Sequence, residues 1–133
     1  ARARAEEDHW RCRFRMAERL AAQLDPRKYG VVAVYLFGST KNANAGPASD
    51  IDLLIHVRAD EAQRAALETW LDGWSEALAE VNYLRTGKIA RGLLDVHFVT
   101  DEDIQQKTSY AVKIGAVTDP ARVLQLGTDL RGI

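Results

Sequence analysis

The chain has 133 residues, 47% of them hydrophobic and 28% charged, with a formal net charge of -1. That length suits one domain with a real core, and the composition excludes a disordered chain and a protein that coats nucleic acid through bulk charge. Cys12 is the only cysteine, so an intrachain disulfide is excluded, and no apolar run approaches the roughly 18 residues of a membrane span.

Residues 1–28 hold eight Lys or Arg against five acids, and the remainder ten against fourteen. Glu6, Glu7, Asp8 and Glu18 are interspersed among the arginines, so this segment reads as a solvated helix face rather than a phosphate-binding arm. The same acids argue against a targeting peptide, and the cysteine usage makes a reducing cytoplasm the expected compartment. The chain begins with Ala rather than Met, which suggests a module of a longer polypeptide.

Trp10, Phe14, Ala17, Ala21 and Leu24 recur every three or four residues, which predicts an N-terminal helix with one apolar face, closed by Asp25-Pro26. VVAVYLF, residues 31–37, is β-branched and aromatic between Gly30 and Gly38, and reads as a buried strand. KNANAGPAS is a loop, with one helical turn expected after Ser39. DIDLLIHV predicts a second strand with Ile51, Leu53, Ile55 and Val57 on one face. From about Asp60 to Leu84, Leu67, Trp70, Leu71, Trp74, Leu78 and Val81 mark a long amphipathic helix, its tryptophans packing in the core. RTGK breaks it. GLLDVHFVT predicts a third strand with Leu93, Asp95 and His97 on one face; Thr100 then caps a helix to about Lys113. A C-terminal hairpin over residues 115–127, turning at Asp119-Pro120, completes the expectation. The order predicts a single α/β domain over 1–133, a small mixed sheet with helices packed against it.

The chemistry concentrates in FGSTKNANAGPASDIDLL, residues 37–54. On a strand, Asp50 and Asp52 project to the same side roughly 6.6 Å apart, and two such carboxylates raise each other's pKa unless a cation intervenes. A hard divalent ion favours carboxylate oxygens together with substrate phosphates. Asp95 interrupts LLDVHFV where a buried strand would hold Val or Leu, and a third carboxylate permits two ions that stabilise the attacking and leaving oxygens of a phosphoryl displacement. Gly38 lets a phosphate approach the backbone, and the Ser39 hydroxyl can hold its oxygens. His56 and His97 share strand faces with Asp52 and Asp95 and read as packed histidines near the site. Thr86-Gly87-Lys88 is not a P-loop, because Asn82 stands at its first glycine and Ile89 where Ser or Thr should follow. A phosphatase of the Asp-x-Asp kind would carry its apolar strand before the aspartates rather than after them. A Ser-His-Asp hydrolase is disfavoured because Gly38-Ser39-Thr40-Lys41 is no nucleophile elbow.

Gly38-Ser39, ten intervening residues, Ser49-Asp50-Ile51-Asp52-Leu53 and the later Asp95 resemble the signature of the DNA polymerase β-type nucleotidyltransferase superfamily, most similarly its minimal nucleotidyltransferase (MNT) branch. The resemblance implies the nucleotidyltransferase fold and transfer of a nucleoside monophosphate from an NTP, with ATP as the expected donor, to a hydroxyl acceptor. It implies that Asp50, Asp52 and Asp95 hold two Mg²⁺ ions, or Mn²⁺, that Asp95 helps deprotonate the acceptor, and that Gly38 and Ser39 bind the triphosphate. Asn42 stands where the branch often has arginine, and Lys41 can supply the charge from next door, though without arginine's bidentate fork. That departure supports an alternative, a catalytically weak or inactive module that binds a nucleotide or a protein partner, since MNT-like proteins commonly work beside helical partners such as the HEPN toxins they neutralise.

Overall fold

A computed structural model of the chain describes residues 2–38, 50–107, 111 and 121–130, with side chains from residue 9 onward. Two apolar runs lie at its centre: VVAVYLF forms β1 (Val31–Phe37) and IDLLIHV forms β2 (Ile51–Val57), paired antiparallel. β3 (Leu94–Val99) adds parallel to β2, and β4 (Arg122–Leu124) adds antiparallel to β1, giving the order β3-β2-β1-β4. The parallel step between β2 and β3 needs a crossover, which the long helix α3 (Glu61–Thr86) supplies.

Alternation along β2 divides the molecule into two faces. Ile51, Leu53 and Ile55 are fully buried together with Val34 and Leu36 of β1, beneath Leu20, Ala21 and Leu24 of α1 (Arg2–Gln23) and Leu67, Leu71 and Leu78 of α3. Each such Leu or Ile contributes about 1.5–3 kcal/mol when fully withdrawn from water. The other face carries a smaller cluster, Leu54, Val99 and Ala111, flanked by Tyr35, Phe37 and Ile104. Polar groups of the central strands are therefore confined to this second face or to the strand ends. The tryptophans pack as expected, Trp70 lying 5.8 Å from both Tyr29 and Trp74 between ring centroids.

Local chemistry sets the element ends. Gln23 ends α1, and Asp25 caps the short α2 (Pro26–Tyr29), accepting from the amides of Arg27 and Lys28. Asp60 caps α3 in a capping box: Gln63 N donates to Asp60 Oδ1 at 2.8 Å, and Asp60 N donates to Gln63 Oε1 at 3.1 Å. Gly87 closes α3 in the left-handed conformation, its N–H donating to Tyr83 O, so the RTGK stretch is a helix C-terminus rather than a phosphate loop.

Three expectations are modified, and a fourth lies partly outside the described residues. The helix after Thr100, α4, spans only Asp101–Gln106, because Lys107 turns left-handed at φ 54° instead of continuing toward Lys113. Leu93 precedes β3 and packs into the main core, away from the face of Asp95. Arg13 does not belong to the solvated face of the basic N-terminal helix: it is fully buried and donates to Asn82 Oδ1 at 2.9 Å. Of the expected 115–127 hairpin, Arg122–Leu124 pairs with β1, while the first arm lies outside the described residues, as do Ser39, Lys41, Asn42 and the turn expected after Ser39.

Candidate active site

Three chain segments reach one end of the sheet. β1 exits there into Gly38, β2 enters from Asp50, and β3 enters from Leu93, whose carbonyl accepts from Ile51 N at 2.7 Å. Register then decides which side chains meet. Asp52 stands opposite Asp95 in the parallel pair and opposite Phe37 in the antiparallel pair. Both aspartates are on the face away from the large helices.

The two residues are direct neighbours across the parallel pair. Burial first, then a hydrogen bond to Asp95, then the charges of Asp95 and Asp50, push the Asp52 carboxyl up to about 6, with His97 opposing. Asp50, at the exposed rim, is also raised, by partial desolvation and then by Asp95, while the Arg13 guanidinium opposes. Asp50, Asp52 and Asp95 thus lie within electrostatic reach of one another. Among the described residues, however, no three His, Cys, Asp or Glu side chains close around a single point. The three carboxyls are hard oxygen donors whose mutual repulsion a divalent cation would relieve, which is the donor chemistry Mg²⁺ or Mn²⁺ takes when phosphates complete its coordination. The structure fits such an ion to that extent.

Gly38, expected from the sequence to leave space for phosphate, meets a structural requirement. Its φ is +77°, and a Cβ there would collide with Asp52 Oδ2. The residue that turns the chain out of β1 must be glycine for the carboxylate on the neighbouring strand to hold its position. That requirement is invisible to motif reading, because it depends on a cross-strand approach.

The histidines separate. His97 lies beside the site, its Nε2 3.3 Å from Asp95 Oδ2 and its ring 5.9 Å from that of Phe37. His56 sits toward the other end of β2, buried, its Nε2 2.7 Å from Asp101 Oδ1. Asp101 also accepts from Arg58 Nε at 2.8 Å, and Arg58 and then His56 hold its carboxyl below the usual range. His56 ties β2 to the start of α4 and has no place in the carboxylate cluster. Arg13 is the residue that sequence reasoning missed: the acids interspersed around it pointed to solvent, and its partner Asn82 lies 69 positions away.

The architecture is that of an α/β domain, a four-stranded mixed sheet with α1 and α3 on one face and the paired strand carboxylates on the other. Residues 18–114 match the family described as the nucleotidyltransferase domain, and the chain belongs to it. The resemblance to the polymerase β-type superfamily is thereby borne out. No curated protein and no solved structure matched the chain. Among the described residues, no helix is long and apolar enough to cross a membrane.

Proposed function

We propose that this domain is a divalent-metal-dependent nucleotidyltransferase that moves a nucleoside monophosphate from an NTP, ATP being the expected donor, to a hydroxyl acceptor. The observation that carries this reading is the pairing of Asp52 with Asp95 on neighbouring strands, electrostatically joined to Asp50, in a chain of this family. The acceptor hydroxyl oxygen bonds to the α-phosphorus as the bond from that phosphorus to the bridging oxygen breaks, and pyrophosphate departs with the bonding pair. Asp95, half-exposed beside His97, takes the acceptor's proton. Asp50 and Asp52 hold the divalent ions, which when bound supply charge stabilisation to the transferring phosphoryl group. Gly38 and Ser39 seat the triphosphate, with Lys41 adding charge next to it.

Calorimetric titration with ATP and Mg²⁺ tests the assignment. Wild type is expected to bind, and the Asp50→Asn, Asp52→Asn double variant to lose at least about 2.7 kcal/mol, a hundredfold, of affinity. Equal binding by both would remove the metal site. Pyrophosphate release with cell extract as acceptor source, abolished by Asp95→Asn, tests the transfer itself; release that survives the substitution rules out Asp95 as its base.

A further inference from the structure

Parallel pairing fixes which way each backbone group of β3 points. Ile51 N donates to Leu93 O at 2.7 Å, and backbone groups alternate sides along a strand, so Leu93, Asp95 and His97 turn theirs toward β2. Leu94, Val96 and Phe98 turn theirs to the outer edge, as Leu94 N does in donating to Ser75 Oγ of α3 at 3.1 Å. β3 is an end strand of the sheet, and among the described residues nothing pairs with the outward backbone of Val96 or Phe98. The following helix lies elsewhere: Ile104 of α4 packs with Leu54 on the opposite face, and β4 occupies the other edge.

The side chains of the same three residues are half-buried against the main core and floor a groove of about 320 Å³ between β3 and α3. Its helical wall is one row of α3: Glu68, Asp72 and Ser75 recur every three or four residues. Glu68 carries the row into a second hollow of about 450 Å³ beside Glu61 and Arg64. Three exposed carboxylates, Glu61, Glu68 and Asp72, thus share this row with one cation. Arg64 is already engaged, its guanidinium 3.8 Å from the Phe98 ring centroid and its Nε 3.4 Å from Glu68 Oε1. Among the described residues Glu61 and Asp72 form no ion pair.

We propose that the outer edge of β3 takes on a further strand, an extended basic segment of a protein partner. Its backbone pairs with Val96 and Phe98, and its alternate side chains lie in the groove with Lys or Arg heads against Asp72 and Glu68. Main-chain pairing supplies affinity in such strand addition, and the side chains facing the groove supply specificity. The floor from Leu94 to Phe98 spans roughly 13 Å, the reach of about five strand residues. Charge selects the occupant. Lys and Arg stems can cover the apolar floor while their heads reach the acidic rim, whereas a nucleic acid would bring its phosphates against that rim. A second copy paired antiparallel through β3 would set two α3 helices on one face with their acidic rows opposed. A partner helix would leave the outward amides and carbonyls unpaired.

The test is fluorescence anisotropy of a labelled hexapeptide, Arg-Thr-Val-Thr-Arg-Thr, with the full chain in EDTA and without nucleotide. Wild type is expected to bind it, and the Glu68→Gln, Asp72→Asn double variant to bind at least about tenfold more weakly, the loss of two exposed charge pairs. Val96→Pro removes an outward donor and no bond to β2, and an equal or larger loss is expected. Should that variant fail to fold, N-methylated peptides read the same bonds: methylation at Arg and Val or methylation at Thr is expected to abolish binding, but not both. No binding by wild type, undiminished binding by the double variant, equal binding by all the methylated peptides, or equal binding of Glu-Thr-Val-Thr-Glu-Thr would overturn the proposal. A wild-type dimer in sedimentation that Val96→Pro dissociates would also overturn it, assigning the edge to a second copy.

Discussion

Gly38 carries two requirements in one position. Its left-handed φ of +77° would strain any other residue, and the space a Cβ would take belongs to Asp52 Oδ2. Gly38→Ala is expected to lower stability by about 1–3 kcal/mol in urea unfolding, the usual scale of stored backbone strain. Because relief comes by displacing the Asp52 carboxylate, pyrophosphate release is expected to fall by about a hundredfold, the effect of misplacing a reacting group by about an ångström. Normal turnover with reduced stability would show that the carboxylate has another resting position. Residue type and spacing suffice to single this glycine out as an expected phosphate neighbour. Its relation to Asp52 was not legible, because φ and the approach of a carboxylate from the adjacent strand exist only in the folded chain.

At the scale of elements, α1 and α3 meet through a hydrogen bond as well as through apolar packing. Arg13 NH2 donates to Asn82 Oδ1 with both side chains buried, and NH1 lies 3.5 Å from His9 O. Removing a buried acceptor from a guanidinium costs more than a neutral hydrogen bond, so Asn82→Ala is expected to destabilise by about 1.5–3 kcal/mol in urea unfolding. Asn82→Asp keeps an acceptor and adds an opposite charge, and a smaller loss is expected; equal losses would point to packing of the amide rather than its bond. The three longer strands were legible to within a residue or two because short β-branched and apolar runs, ended by Gly30 and Gly38 in β1, leave few alternatives. The helices were less so. α4 stops at Gln106 because Lys107 adopts φ 54°, and nothing in DEDIQQKTSYAVK marks that turn. α1 hides a buried arginine among interspersed charges, since periodicity counts apolar residues and assigns charged ones to water.

The sheet gives the whole molecule two unequal faces, a large apolar core under α1 and α3 and an opposite face that begins with two aspartates paired across neighbouring strands. The large core sustains an arrangement that is unfavourable to folding at neutral pH without a cation. Asp52 has its carboxyl raised from 3.8 to about 6 by burial, then by its hydrogen bond and charge coupling to Asp95 and by Asp50. Below about 3.8 the folded and unfolded chains both hold this proton, and the Asp52–Asp95 hydrogen bond contributes fully. Between about 3.8 and 6 the unfolded chain has released its proton while the folded chain retains it, so stability falls as pH rises, and by pH values above about 6 this contribution is lost. Asp52→Asn removes the titration while keeping a donor for Asp95. In EDTA the variant is expected to melt higher than wild type at pH 8, and the gap is expected to close toward pH 4. Mg²⁺ at pH 8 is expected to raise the wild-type melting temperature and leave the variant nearly unchanged, because the ion stabilises the folded state in proportion to its affinity for the carboxylates. Thermal melts at the two pH values, with and without the ion, measure all of these quantities. A gap independent of pH would mean that Asp52 is ionised throughout and that the cluster owes its arrangement to some other charge.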